Sequence, residues 1–264
     1  MKTRCFIVLL SLFLFVSCGE KRTNPLIQEL NDSWVVTTDT LNIKMQVDVP
    51  SVIQADMYEN GLIPHPYKSN VEPQLLWIPQ HEWTYTLDFV ADDYILDEDV
   101  VELVFEGLDT YADVWFNGKK ILHADNMFRT YSYDVKDIIK EKNNIKIKFY
   151  PFDKERDSLI ETYRLRFPEK YAVMRKAAYQ NGWDWAPRYM NMGIWQPVYL
   201  KAWTRSTICS ASVITKDIHD DKADLFFEAC INADVEHNIS LQLFQEGEKI
   251  LDQNINLTKG TNYY

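Results

Sequence analysis

From Asn42 to Val49 apolar residues recur at every second position (Ile43, Met45, Val47, Val49), the signature of a strand with one buried face. Trp83–Val90 alternates in the same way, and Val100–Glu106 is a compact run of strong β-formers. Ala112–Phe116 and Ile121–His123 flank Asn117-Gly118. An Asn-Gly pair between two such runs is the strongest short hairpin signal, because both residues accept positive φ. Ile145, Ile147 and Phe149 alternate with Lys146, Lys148 and Tyr150, which predicts another strand with one wet face, and Ile194–Trp203 closes the set. Leu26–Trp34 reads as a short amphipathic segment and Asp134–Lys142 as a short helical turn. Strands do not alternate with long helices, so a βα barrel is not encoded here.

Pro151–Met192 breaks the pattern, with charges, Pro168, Pro187 and many aromatics but no clean period. Long irregular insertions in β domains are usually functional or disordered, and the Tyr and Trp content argues against disorder. This excursion is therefore expected to pack on the sandwich with part of it presented outward. Past Thr204 the stretches Thr207–Thr215, Ala223–Ala233, Asn238–Gln245 and Lys249–Leu257 read as four strands. An immunoglobulin-like sandwich needs about seven strands and about 100 residues, so this second unit is expected to be incomplete.

The first residues indicate export. Lys2 and Arg4 precede a nearly unbroken apolar run, Cys5–Val16, which is too short to span a bilayer and suited to a signal peptide. Ser17-Cys18-Gly19 follows and resembles a bacterial lipobox, which implies cleavage before Cys18 and acylation of its thiol. The alternative is a plain signal peptide with an incidental cysteine. The chain is thus divided into a lipoprotein signal over 1–17, a tether over 18–27, a β-sandwich over 28–203 and the start of a second sandwich over 204–264. The expected location is outside the cytoplasm, as a membrane-anchored lipoprotein of the periplasm or outer membrane, with the lipid as its one membrane contact.

In that compartment a disulfide can persist, and only Cys209 and Cys230 would remain to form one. A hairpin turn centred between His219 and Asp220 would place Cys209 opposite Cys230 and Ile208 opposite Ile231. Opposed residues lie about 4.5–5.5 Å apart at Cα, within bonding range. Two buried thiols are the alternative.

The 264 residues carry a net charge of −11 with no basic stripe, which argues against a nucleic-acid partner. Aromatic residues make up 14% and include eight Trp, fitting either strand packing or stacking on sugar rings. His65 and His81 lack metal-ligand spacing, and no phosphate loop or nucleophile turn is present, so no metal or cofactor is expected.

Several stretches together resemble the N-terminal region of the β-mannosidases of glycoside hydrolase family 2. They are Val49-Pro50-Ser51-Val52-Ile53, Tyr58-Glu59-Asn60-Gly61-Leu62-Ile63-Pro64-His65-Pro66-Tyr67, Phe105-Glu106-Gly107-Leu108-Asp109-Thr110-Tyr111-Ala112-Asp113-Val114 and Ala124-Asp125-Asn126-Met127-Phe128-Arg129. Arg175-Lys176, Gly182-Trp183-Asp184-Trp185, Pro187-Arg188, Gly193-Ile194-Trp195 and Pro197-Val198 complete the set. The Phe105–Ala112 stretch is shared across family 2, whereas Trp183-Asp184-Trp185 with Pro187-Arg188 is narrower and points to the mannosidase branch.

The resemblance implies an all-β fold: a jelly-roll, galactose-binding-like sandwich followed by an immunoglobulin-like sandwich, with a catalytic barrel beside them. It also implies retaining removal of terminal β-linked mannose. Retention requires two carboxyl groups about 5–5.5 Å apart, and in the family both are barrel Glu residues, the acid/base one preceded by Asn. No Asn-Glu dipeptide occurs in this sequence. The chain is accordingly expected to be the non-catalytic, sugar-binding portion of such an enzyme, with β-mannosides and the catalytic barrel as its partners. A free-standing lectin-like surface lipoprotein is the competing reading.

The family's Trp-Asp-Trp loop carries an Asp that contacts the mannose being cleaved, which here is Asp184. Trp183 and Trp185 would wall the site, and Arg188 or Arg175 would hold the carboxylate. The residues by themselves also permit a buried Asp184–Arg pair between two core tryptophans. Two departures from the family pattern stand next to this loop. Asn181 replaces an aromatic residue, and Ala186 replaces a Gly, which matters only if that position needs positive φ. Asp109 and Asp113, beside Tyr111, are expected to serve turn and barrel contacts.

Overall fold

The computed structural model describes residues 25–38, 40–68, 70–164, 166 and 170–264. The signal peptide, the lipobox with Cys18 and residues 18–24 of the expected tether lie outside them. Twelve strands build the larger part. They are β1 (Leu26–Glu29), β2 (Trp34–Thr38), β3 (Ile43–Val47), β4 (Trp83–Val90), β5 (Val100–Phe105), β6 (Leu108–Asp109), β7 (Ala112–Phe116), β8 (Lys119–Ala124), β9 (Tyr131–Asp134), β10 (Lys142–Phe149), β11 (Gly193–Ile194) and β12 (Val198–Trp203). They form a four-stranded sheet in the order β1-β12-β5-β9, a six-stranded sheet in the order β3-β2-β4-β10-β7-β8, and the short pair β11-β6. Leu26 and Ile27, expected in the tether, are already sheet, opposite Ala202 and Lys201.

The two larger sheets enclose one core. The alternation in β4 and β10 places Trp83, Tyr85, Ile145, Ile147 and Phe149 inside, opposite Leu103, Phe105 and Leu200 of the other sheet. Buried indole N–H groups need acceptors. Trp34 donates to the Leu30 carbonyl at 2.8 Å and Trp83 to the Ile78 carbonyl at 3.0 Å. The Asn117-Gly118 hairpin forms as expected, with φ of 50° and 82° at the two turn residues.

The short helical turn expected within Asp134–Lys142 forms between β9 and β10, where Ile138 and Ile139 N–H donate to the Val135 carbonyl in the i+3 and i+4 spacings of a helix. Two local readings change. The single strand expected over Ile194–Trp203 is split between β11 and β12, because Pro197 interrupts it and has no N–H to offer a ladder. A helix, Phe152–Thr162, opens the excursion that showed no period. Its Phe152 joins Tyr111, Met174 and Met190 in a small satellite core that seats the excursion on the sandwich.

The remaining strands are β13 (Ser206–Ile218), β14 (Ala223–Ala233), β15 (His237–Gln245), β16 (Glu248–Leu257) and β17 (Gly260–Tyr263). They make a three-stranded sheet, β13-β14-β17, and a β15-β16 hairpin around Ile231, Ile255 and Leu257. Ile208 faces Ile231, but the register then slips and Ser210, not Cys209, stands opposite Cys230. The Cys209–Cys230 pairing therefore needs correction. A bulge makes Cys209 an extra residue in β13, and both cysteines are free thiols. Two residues of a bulged strand oppose one on its partner, so Cys209 and Ser210 together face Cys230. Burial and that neighbouring thiol push the Cys209 thiol up to about 11.

Among the described residues no helix is long and apolar enough to cross a membrane.

Candidate functional site

The excursion returns to the sandwich through a laced base. Ile53 N–H donates to the Met192 carbonyl and Ser51 N–H to the Ile194 carbonyl, both at 2.9 Å, while Gln54 Nε2 donates to the Met190 carbonyl at 2.8 Å. At the centre lies a buried polar cluster. Lys176 Nζ donates to Asp109 Oδ1 and to the Asn191 carbonyl, each at 2.5 Å. Gln180 Nε2 donates to Asp109 Oδ2 at 2.9 Å, and Asn191 N–H donates to Gln180 Oε1 at 2.9 Å. Thr110 O–H donates to Asp109 Oδ1. Burial lowers the Lys176 pKa and Asp109 opposes that shift. The pair ties residues on both arms of the excursion to β6.

This cluster was not foreseen in the sequence, where Asp109 was assigned to turn and barrel contacts. The available signal was the lysine of Arg175-Lys176, a long side chain in an otherwise apolar neighbourhood. Asp113, by contrast, lies at the surface, bonded to Lys120, His123 and Tyr150. These partners hold its carboxyl below the usual range although burial pushes the other way.

Above this base the chain makes a tight turn. Trp183 N–H donates to the Ala186 carbonyl at 3.0 Å and Ala186 N–H returns to the Trp183 carbonyl at 3.1 Å, so Asp184 and Trp185 form the tip. Gly182 is needed on entry. Its φ is 84°, and a Cβ there would lie 3.1 Å from Arg188 Cβ. Ala186 is not among the positive-φ residues, so its replacement of a glycine leaves the turn unstrained. Asn181, at the end of a short 3-10 helix, bonds through Nδ2 to the Ala178 carbonyl at 3.3 Å.

Asp184 is exposed, and Trp183 and Trp185 are 69% and 82% exposed, so these tryptophans are not core residues. Among the described residues Asp184 has no ion-pair partner. Neither arginine expected to hold it forms an ion pair with it among the described residues. Arg175 is exposed and its carbonyl accepts from Met127 N–H, while Arg188 lines a separate small cleft with Phe152 and Asp153. The structure thus places Trp183, Asp184 and Trp185 on one exposed turn and, among the described residues, pairs the carboxylate with neither arginine. Trp183 and Asp184 line a cleft of about 630 Å³ on one side of the turn. Trp185 lines another, of about 670 Å³, on the other side.

The sequence pattern of the glycosyl hydrolase 2 galactose-binding domain-like family matches residues 31–196, the span that contains the whole six-stranded sheet and this turn. The chain belongs to that family. Over 187 residues this family 2 chain is 29% identical to a β-mannosidase of Mus musculus, covering 66% of itself and 21% of the relative. Over 180 residues it is 33% identical to β-mannosidase A of Emericella nidulans, covering 63% of itself and 19% of the relative. Among solved structures, a β-D-mannosidase from Dictyoglomus thermophilum superposes with a TM-score of 0.79 at 26% identity, over 90% of this chain and 30% of that one. An exo-chitosanase from Amycolatopsis orientalis shares the fold with a TM-score of 0.69 at 21% identity, over 90% of this chain and 28% of that one. The family 2 domain therefore spans about a fifth of the length of these curated relatives.

Proposed function

We propose that this chain is the non-catalytic, sugar-recognising portion of a β-mannosidase-like glycoside hydrolase, and that Asp184 contacts the terminal β-mannose during its retaining hydrolysis. The observation that carries the reading is the exposed turn with Asp184 at its tip, in a domain similar to β-mannosidases. A carboxylate accepts hydrogen bonds from two neighbouring hydroxyls at once, and charge-assisted bonds are the stronger kind. Trp183, which lines the same cleft as Asp184, adds an apolar wall that excludes water and strengthens those bonds, whereas Trp185 lines the cleft on the other side of the turn. The nucleophile and acid/base carboxylates, about 5–5.5 Å apart in a retaining enzyme, belong to the partner barrel. None of the relatives named above is a free-standing lectin.

Incubation of this chain with an aryl β-mannoside tests the division of labour. No release above buffer is expected from the chain, whereas an enzyme that carries this domain together with its barrel cleaves the same substrate. Turnover by the chain that a point substitution within it abolishes would refute the non-catalytic assignment. The lipid anchor at Cys18 is part of the same proposal and rests on Ser17-Cys18 after the apolar run. Wild-type protein is expected in the membrane fraction and Cys18→Ala in the soluble one; a fully soluble wild type refutes the anchor.

A further inference from the structure

The second cleft, on the Trp185 side of the turn, has a chemistry of its own. Its far wall is a run of aromatic rings met edge to face: Tyr58 to His65 at 5.1 Å, His65 to Tyr67 at 6.3 Å, and Tyr67 to Tyr189 at 5.5 Å between centroids. The Tyr189 hydroxyl donates to the Pro66 carbonyl, which fixes this wall to the excursion. Tyr67 is 73% exposed and lines the same cleft as Trp185, and among the described residues the Tyr58 and Tyr67 hydroxyls have no hydrogen-bond partner. Exposed aromatic faces around a concave space are costly in water and mark binding surfaces.

Two amide residues, Gln54 and Asn191, are among those that line this cleft. Gln54 is 6% exposed and its Oε1 has no hydrogen-bond partner, although its Nε2 is held by the Met190 carbonyl. Asn191 also lines the cleft, and among the described residues its carboxamide has no hydrogen-bond partner, its backbone alone being engaged, by Gln180 and Lys176. A buried acceptor without a partner is rare and costs stability until a ligand or water satisfies it. A mostly aromatic cleft of about 670 Å³ with a few placed amides has the dimensions and lining of a small-ligand site.

The aromatic wall suits the C–H face of a pyranose, and the amides suit its hydroxyls. The turn fixes the relation to the first site, because Trp185 faces this cleft while Asp184 beside it faces the other. We propose that this cleft is a second sugar subsite, which takes the pyranose joined to the mannose held at Asp184 and stacks it between Trp185 and Tyr67. The proposal rests on the function assigned to Asp184 above.

Isotope-labelled chain titrated with β-linked mannobiose and, separately, with a proline-rich peptide tests it. Mannobiose is expected to shift the Trp185 indole resonance, and Tyr67→Ala to weaken its binding about tenfold, the worth of one lost aromatic stack. Tyr67 is a surface residue, so this variant keeps its fold. Equal mannobiose affinity in wild type and Tyr67→Ala, with shifts confined to Trp183, overturns the second subsite and leaves the Asp184 reading standing. Loss of binding in Tyr67→Ala but not in Asp184→Ala supports the subsite and counts against the Asp184 reading instead. Absence of any mannobiose shift, or a peptide that shifts the Trp185 side where mannobiose does not, overturns the proposal.

Discussion

Replacing Lys176 with Met keeps the length of the side chain and removes only its ammonium. The consequence follows from where the pair sits. The side chains of Lys176 and Asp109 are each 1% exposed, and the Nζ is within 2.5 Å of both Asp109 Oδ1 and the Asn191 carbonyl. Removing one partner of a buried pair strands the other charge, at a cost of about 3–5 kcal/mol. The Thr110 and Gln180 donors to Asp109 remain and place the expected loss toward the lower end. For a domain of this size each kcal/mol moves the melting temperature by about 2–4 °C, so a fall of about 10 °C is expected for Lys176→Met. Adding Asp109→Asn removes the stranded charge while keeping an oxygen for Gln180, so the double variant should recover most of the loss. Denaturant midpoints of wild type, both single variants and the double variant form the required cycle. A Lys176→Met loss below about 1 kcal/mol, or strictly additive single effects, would refute the idea that this pair holds the base of the excursion.

Two further outcomes follow from titratable groups. Burial raises Asp56 from 3.8 to about 6 against the hydrogen bonds from Ser51 and Tyr85, so the native state binds this proton more tightly than the unfolded state. Its contribution is full below about pH 3.8 and is lost as pH rises to about 6, with a buried charge costing on the order of 3 kcal/mol above that. Asp56→Asn should therefore gain stability relative to wild type between pH 4 and 7, and parallel stability–pH curves would contradict this. Thiol counting in denaturant should find Cys209 and Cys230 both reduced. In the native chain Cys209, held near 11, should alkylate slowly at neutral pH and faster in Cys230→Ala; a single disulfide or an unchanged rate would contradict the bulged geometry.

The parts of the fold that were legible in the sequence share one property: they are periodic or local. Alternation marked Trp83–Val90 and flanking polar turns marked Ala223–Ala233, both to the residue, and Asn117-Gly118 placed its hairpin with Ala112–Phe116 because positive φ is a property of those two residues. The Trp183–Trp185 tip was legible as a departure from pattern, since aromatics without a period in a β domain call for a role outside the core. What escaped was non-local or interrupted. The Cys209 bulge shifts the register by one residue, which no turn position reveals. Lys176 and Asp109 are separated by 67 residues and meet only because Gly193-Ile194 pairs with Leu108-Asp109. The arginine expected beside Asp184 followed from the resemblance, whereas whether Arg175 or Arg188 reaches the carboxylate depends on the path of the whole excursion, which no local pattern encodes.

The central claim is that Asp184 serves a sugar and not its own fold, and Asp184→Ala read two ways tests it most directly. In this chain the exposed carboxylate holds nothing in place, so the melting temperature should change by no more than about 2 °C. In an enzyme that carries this domain with its barrel, a charged hydrogen bond lost from a closed site should lower kcat/KM for β-mannosides by about 2–4 kcal/mol, roughly 30- to 1000-fold. A large fall in melting temperature of the chain, or unchanged kcat/KM in the enzyme, would contradict the account.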